Sequence, residues 1–146
     1  MARWARVKRV FFVEEPVVDE RASVTRGSGS ACRLDVQTDE SGVNVVIPRV
    51  AGDLAADERN AVLREAFRTL FVEHGIMRPI AWYDAPTFAE ATRDLEAGVV
   101  VYDCVRELGS AEERALISRA HVVFTGGHAL YEVKSASHDN VHVCPS

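Results

Sequence analysis

The sequence predicts an α/β, Rossmann-like fold: a mostly parallel sheet with helices on both faces, plus a small β-hairpin. Three observations predict it. Short apolar runs alternate with stretches of helical period along the chain. From residue 79 onward the joints between them are short, so parallel pairing through right-handed crossovers is expected. Runs such as "VVVYDC" and "HVVFT" are apolar at successive positions, as strands covered on both faces are. A chain of 146 residues suffices for one such domain without disulfide staples, and no interior linker or repeat divides it.

The opening "MARWARVKRV" crowds Arg3, Arg6, Lys8 and Arg9 together and reads as the solvated end of a helix, or as a short peripheral membrane contact. "VKRVFFVEEP" holds an apolar core, Val10 to Val13, and is expected to be a buried strand stopped by Pro16. "RASVTRGSGSA" reads as a flexible loop; its glycines lack the following helix of a dinucleotide fingerprint. "CRLDVQ" and "GVNVVIP" flank "TDESG", which predicts a hairpin ended by Pro48.

The spacing of Val62, Leu63, Ala66, Phe67, Leu70 and Phe71 predicts a helix from about Asp57 to His74. Asp57 and Glu58 suit its first turn, and Gly75 suits a left-handed cap. "PIAWYDAP" is a short strand; "TFAEATRDLEAG" is expected to be a helix with Thr87 as N-cap and Gly98 beyond its end. Then come the strand "VVVYDC", the helix "SAEERALISRA", the strand "HVVFT", the helix "GGHALYEVKSASH" and the strand "NVHVC".

Composition narrows the function classes. Hydrophobic residues at 47% and charged residues at 27% are ordinary for a globular protein, and a net charge of -5 argues against nucleic acid as a partner. Cys32, Cys104 and Cys144 are odd in number and widely spaced. With no apolar leader after Met1, they are expected to be free thiols in a reducing cytoplasm. No run approaches the roughly 18 to 20 apolar residues of a transmembrane helix.

In an open parallel sheet, ligands sit beyond the carboxyl ends of the strands. That rule selects Glu14 and Glu15, Asp84, Asp103 and Cys104, Thr125 with Gly126 and Gly127, and Pro145 with Ser146. "FTGGHAL" puts two glycines between a strand and a helix, where a backbone can approach an anion; turn geometry alone would also use them. Asp103 and Glu107 can orient or deprotonate a hydroxyl, or be a loop residue and a solvated one. Cys104 is a thiolate beside charges or a small filler at a strand end. His121, His138, His142 and Cys144 invite a metal, but only His142 and Cys144 share a strand face, so no metal site is expected.

"RVFFVEEP", "VVVYDCVREL" and "RAHVVFTGGHALYEVKSASHDNVHVCPS", in that order, resemble the amino-terminal domain of a bacterial family of two-domain, GT-B type glycosyltransferases. The resemblance covers residues 7 to 16 and 79 to 146, and the middle loosely. It implies transfer of a sugar from a nucleotide-sugar donor, with no other cofactor, to a sugar or lipid-linked acceptor of envelope or exopolysaccharide synthesis. In that family the amino-terminal domain mainly holds the acceptor, so Asp103 and Glu107 would be catalytic and Glu15, Asp84, Thr125, Gly126 and Gly127 substrate-binding. Arg106 stands where the family has an aspartate, and the chain stops at "CPS", where relatives continue into a donor domain. The implied protein is a single acceptor-side domain, 1–146, inactive alone and completed by a donor domain or an oligomer. The resemblance also implies a missing first strand, normally placed between residues 10–14 and 79–83. Those two segments are then expected to pair directly, or both to become open edges. The alternative class is a non-catalytic Rossmann-like module that binds a nucleotide or a protein.

Overall fold

Two sheets form from these runs, where one was expected. The computed structural model describes residues 2–20 and 31–145. The chain divides into two compact units, Met1–Leu70 and Phe71–Ser146. The division falls inside one continuous helix, so composition shows no linker there.

The first unit contains α1 (Ala2–Ala5), β1 (Phe11–Val13), β2 (Val17–Asp19), β3 (Cys32–Thr38), β4 (Asn44–Ala51) and most of α2 (Ala56–Glu73). β4 is the hub. It pairs antiparallel with β3 in the expected hairpin, and parallel with β1 and β2 along its other side. The turn is built by Asp39, whose carboxylate accepts from the N–H groups of Ser41 and Val43.

Pro48 does not end the hairpin. It lies buried inside β4, opposite Leu34. The bonds from Asn44 N–H to the Val10 carbonyl and from Ala51 N–H to the Ala31 carbonyl fix which way each residue of β4 faces. By that alternation Pro48 faces the β1–β2 side, and it falls opposite the gap between those two strands. A missing donor is tolerated where no strand asks for it.

Residues 10–14 therefore do not pair with residues 79–83: β1 pairs with β4 and β5 (Ile80–Tyr83) with β6 (Val99–Cys104), and among the described residues β1 and β5 are each an edge strand, the second of the two expected outcomes. β1 is an edge strand and Phe12 is 36% exposed, so the expected buried strand is half-exposed. The "RASVTRGSGSA" loop lies almost wholly outside the described residues.

α2 buries Leu63, Phe67 and Leu70, one apolar stripe of the predicted face. It ends in a Schellman motif: Gly75 has φ +57 and donates to the Val72 carbonyl, while Ile76 donates to that of Phe71.

The second unit holds β5 (Ile80–Tyr83), a 3₁₀ turn (Pro86–Phe88), β6 (Val99–Cys104), α3 (Ala111–Arg119), β7 (Val122–Thr125), α4 (His128–Ser135) and β8 (Val141–Val143). Its strands are all parallel, in the order β5-β6-β7-β8. This is the α/β, Rossmann-like arrangement that the alternating pattern predicts.

Val99, Val101, Val122 and Phe124 were expected to be buried; of these only Val101 is. The core lies on the other face, where Tyr83, Val100, Tyr102, Cys104, Val123 and Val141 meet Leu116 and Ile117 of α3. On the outer face Trp82 stacks on Phe124, ring centroids 5.7 Å apart.

"TFAEATRDLEAG" is not an α-helix. After Pro86 the N–H groups of Ala89, Arg93 and Leu95 bond three residues back. Ala85, not Thr87, stands before the first turn. The Thr92 hydroxyl meets the Phe88 carbonyl and the Tyr83 hydroxyl, and the Arg119 guanidinium joins it, tying the segment to β5 and α3. No described helix is long and apolar enough to cross a membrane.

Candidate functional site

The carboxyl ends of the second unit's strands line up. Tyr83 is level with Tyr102, Cys104 with Thr125, and Thr125 with Val143. Asp84, Asp103, Gly126 and Cys144 therefore emerge at one edge of the sheet, as the strand-end rule requires.

The loop leaving β6 is held by a residue that the sequence reading passed over. Glu113, in the first turn of α3, is 1% exposed. Its Oε2 accepts from the N–H groups of Leu108 at 3.2 Å and Gly109 at 2.7 Å. Its Oε1 accepts from the Tyr102 hydroxyl at 2.9 Å and faces the Lys134 ammonium at 3.1 Å. Lys134 comes from α4 and is itself 4% exposed. Gly109 turns the chain at φ +65, and the Ser110 hydroxyl caps α3 by accepting from Glu113 N–H at 3.1 Å.

The electrostatics follow from this shell. Burial acts to raise the Glu113 pKa, but the Gly109 N–H, Lys134 and Tyr102 together hold the carboxyl below its ordinary range. Burial pushes the Tyr102 hydroxyl far up, and its neighbours Cys104 and Glu113 add to the rise. The Cys104 thiol is raised too, chiefly by burial, and points at the Arg106 carbonyl and Glu113. Cys104 thus fills the strand end as a small buried side chain, and its surroundings disfavour the thiolate.

Asp103 is half-buried, directly beside Phe124 of β7, and its carboxylate has no hydrogen bond or ion pair among the described residues. Glu107 is exposed on the loop, 3.9 Å from Lys134. Asp84 is exposed at the end of β5.

Thr125 is fully buried and turns its hydroxyl to the His142 carbonyl at 3.4 Å, so its side chain is engaged inside the sheet. Gly126 and Gly127 follow it with open space where a Cβ would stand, and neither has a positive φ. Turn geometry does not require glycine at either position. Glu14 and Glu15 belong to the first unit, exposed where β1 gives way to β2. Ser146 lies outside the described residues.

Among the described residues no cluster of histidine, cysteine and carboxylate groups is arranged to hold a metal. The three candidate histidines have structural partners. His121 Nδ1 accepts from Val100 N–H, and His138 Nδ1 accepts from Asn140 N–H while its Nε2 reaches the Ala120 carbonyl. His142 Nε2 reaches Asn140 Oδ1.

The residues missed from the sequence are Tyr102, Glu113 and Lys134. One signal was present: "SAEE" is a serine followed three residues later by glutamate, the capping-box pattern. Here the glutamate reaches back past the cap to Gly109 and Leu108. No family model matches the chain, and neither does any curated protein or solved structure.

Proposed function

We propose that this chain is the acceptor-side domain of a cytoplasmic, GT-B type glycosyltransferase, one that moves a sugar from a nucleotide-sugar donor to an envelope or exopolysaccharide acceptor. The observation that carries the reading is the end of β6. An Asp103 carboxylate without a hydrogen bond or ion pair among the described residues emerges at the carboxyl edge of a parallel sheet, and the loop after it is held by a buried ion pair. A carboxylate so placed accepts the hydrogen of an acceptor hydroxyl, orients it and takes its proton as the bond to the sugar forms. The open backbone at Gly126 and Gly127 lets a substrate come close to β7. Glu107, 3.9 Å from Lys134, is the second carboxylate of the proposed site. Charge on the departing nucleotide diphosphate is met from a facing donor-side domain, so the 146-residue chain alone is expected to bind acceptor without turnover.

The test fuses a donor-side domain of a two-domain glycosyltransferase to the chain and assays transfer from a panel of nucleotide sugars. Asp103→Asn is expected to lower kcat by about 10²- to 10⁴-fold with an unchanged circular dichroism spectrum. Transfer indifferent to Asp103→Asn would overturn its role. Nucleotide binding without transfer in any fusion would favour the non-catalytic module.

A further inference from the structure

β5 is the end strand of its sheet and pairs only with β6 among the described residues. Val100 directs its backbone to the β7 side: its N–H donates to His121 Nδ1, and its carbonyl accepts from His121 N–H. β6 therefore addresses β5 through Val99, Val101 and Asp103. In the parallel register β5 answers with Pro79, Ala81 and Tyr83. Ile80 and Trp82 turn their N–H and C=O groups away from the sheet, and no described residue bonds to them. The side chains at these positions are exposed, Ile80 at 61% and Trp82 at 43%. The strand itself, "IAWY", carries no charge to discourage pairing.

We infer that β5 pairs antiparallel with β5 of a second copy of this chain, about a two-fold axis at Ala81. In that register Ile80 lies opposite Trp82 of the second copy, and each pair exchanges N–H to C=O bonds in both directions. Pro79 is no obstacle, since its missing N–H belongs to the side facing β6.

Charge selects this occupant over an unrelated strand. Arg78 and Asp84 each lie three residues from Ala81, just outside β5, where Arg78 turns the chain at φ +45; both are exposed and without a hydrogen bond or ion pair among the described residues. The two-fold axis brings Arg78 of each copy to Asp84 of the other, so both charges gain partners at once. Antiparallel pairing at the outer edge of β5 would join the two four-stranded sheets edge to edge, with strands about 4.8 Å apart across the axis. This inference concerns assembly and stands apart from the proposed transfer activity.

Sedimentation of the whole 146-residue chain over a range of concentrations tests it, together with hydrogen exchange of single amides. A monomer–dimer equilibrium is expected, with the Ile80 and Trp82 amides slowing as concentration rises while Ala81 and Tyr83 are slow throughout. Arg78→Asp or Asp84→Arg alone sets like charges opposite each other and is expected to weaken the dimer about tenfold or more. The double variant Arg78→Asp/Asp84→Arg restores the pairs with their signs exchanged, and with them the dimer, which a misfolded protein would not do. A monomer at every concentration overturns the inference. So does a dimer indifferent to the single exchanges, or protection of Ile80 and Trp82 in a monomer, which would mean that the edge is covered from within the chain.

Discussion

Asp35 on the hairpin of the first unit and Glu113 in the second are both carboxylates held below their ordinary range, and they are held by opposite means. Asp35 is lowered first by its hydrogen bond from Arg49, with Arg33 adding to it, on a sheet face that water reaches. Glu113 sits where burial works against its charge, and the Gly109 N–H, Lys134 and Tyr102 together overcome that cost. A lowered pKa alone therefore says little about what a pair contributes. What matters is where the partner is left if the pair is broken: Arg49 would return to water, while Lys134 would be stranded.

The largest effect that would sharpen this comparison is expected from Lys134→Met. It strands the Glu113 carboxylate inside the second unit and is expected to cost about 3–5 kcal/mol in urea denaturation. The double variant Lys134→Met/Glu113→Gln should recover most of that loss, because a neutral amide can still accept from Gly109 and Leu108. A single-variant loss no greater than that of Arg49→Ala would break the comparison.

Acid gives a smaller effect. The folded state lowers the Glu113 pKa below 4.5, so the unfolded chain binds the proton more readily. The contribution of this group is complete above pH 4.5 and is lost as pH falls through the lower, folded value. Denaturation midpoints measured down the acid limb should fall less steeply in the double variant than in the native chain. The smallest effect is expected from Arg49→Ala, whose denaturation midpoint should stay close to native and lose its remaining difference when salt is added.

The order of most strands and helices was legible because each apolar run is short and bounded by turn residues, and because α2 repeats its apolar positions with a helical period; β2, after Pro16, was not expected. The parallel edge bearing Asp103, Gly126 and Gly127 was legible for the same reason. The division into two sheets was not: pairing of β1 with β4 depends on a register that no local pattern encodes. The 3₁₀ turn after Pro86 was missed because the Thr92 hydroxyl and Arg119 decide it from outside the segment. Lys134 was read only as part of a motif, since a lysine on a short amphipathic helix is almost always solvated. Its burial depends on Glu113, which lies 21 positions earlier in the chain.

The two-sided use of β4 carries a consequence in time. Its partner β3 is joined to it by five residues, 39–43, with Asp39 already organising the turn, whereas β1 is separated from it by residues 14–43. Closing the longer loop costs about 1.6 kcal/mol more entropy by loop-length scaling alone. The hairpin is thus expected to form early and to serve as a template onto which β1 and β2 are laid late. Pro48 sets the point at which that late-arriving segment must lift off and land again.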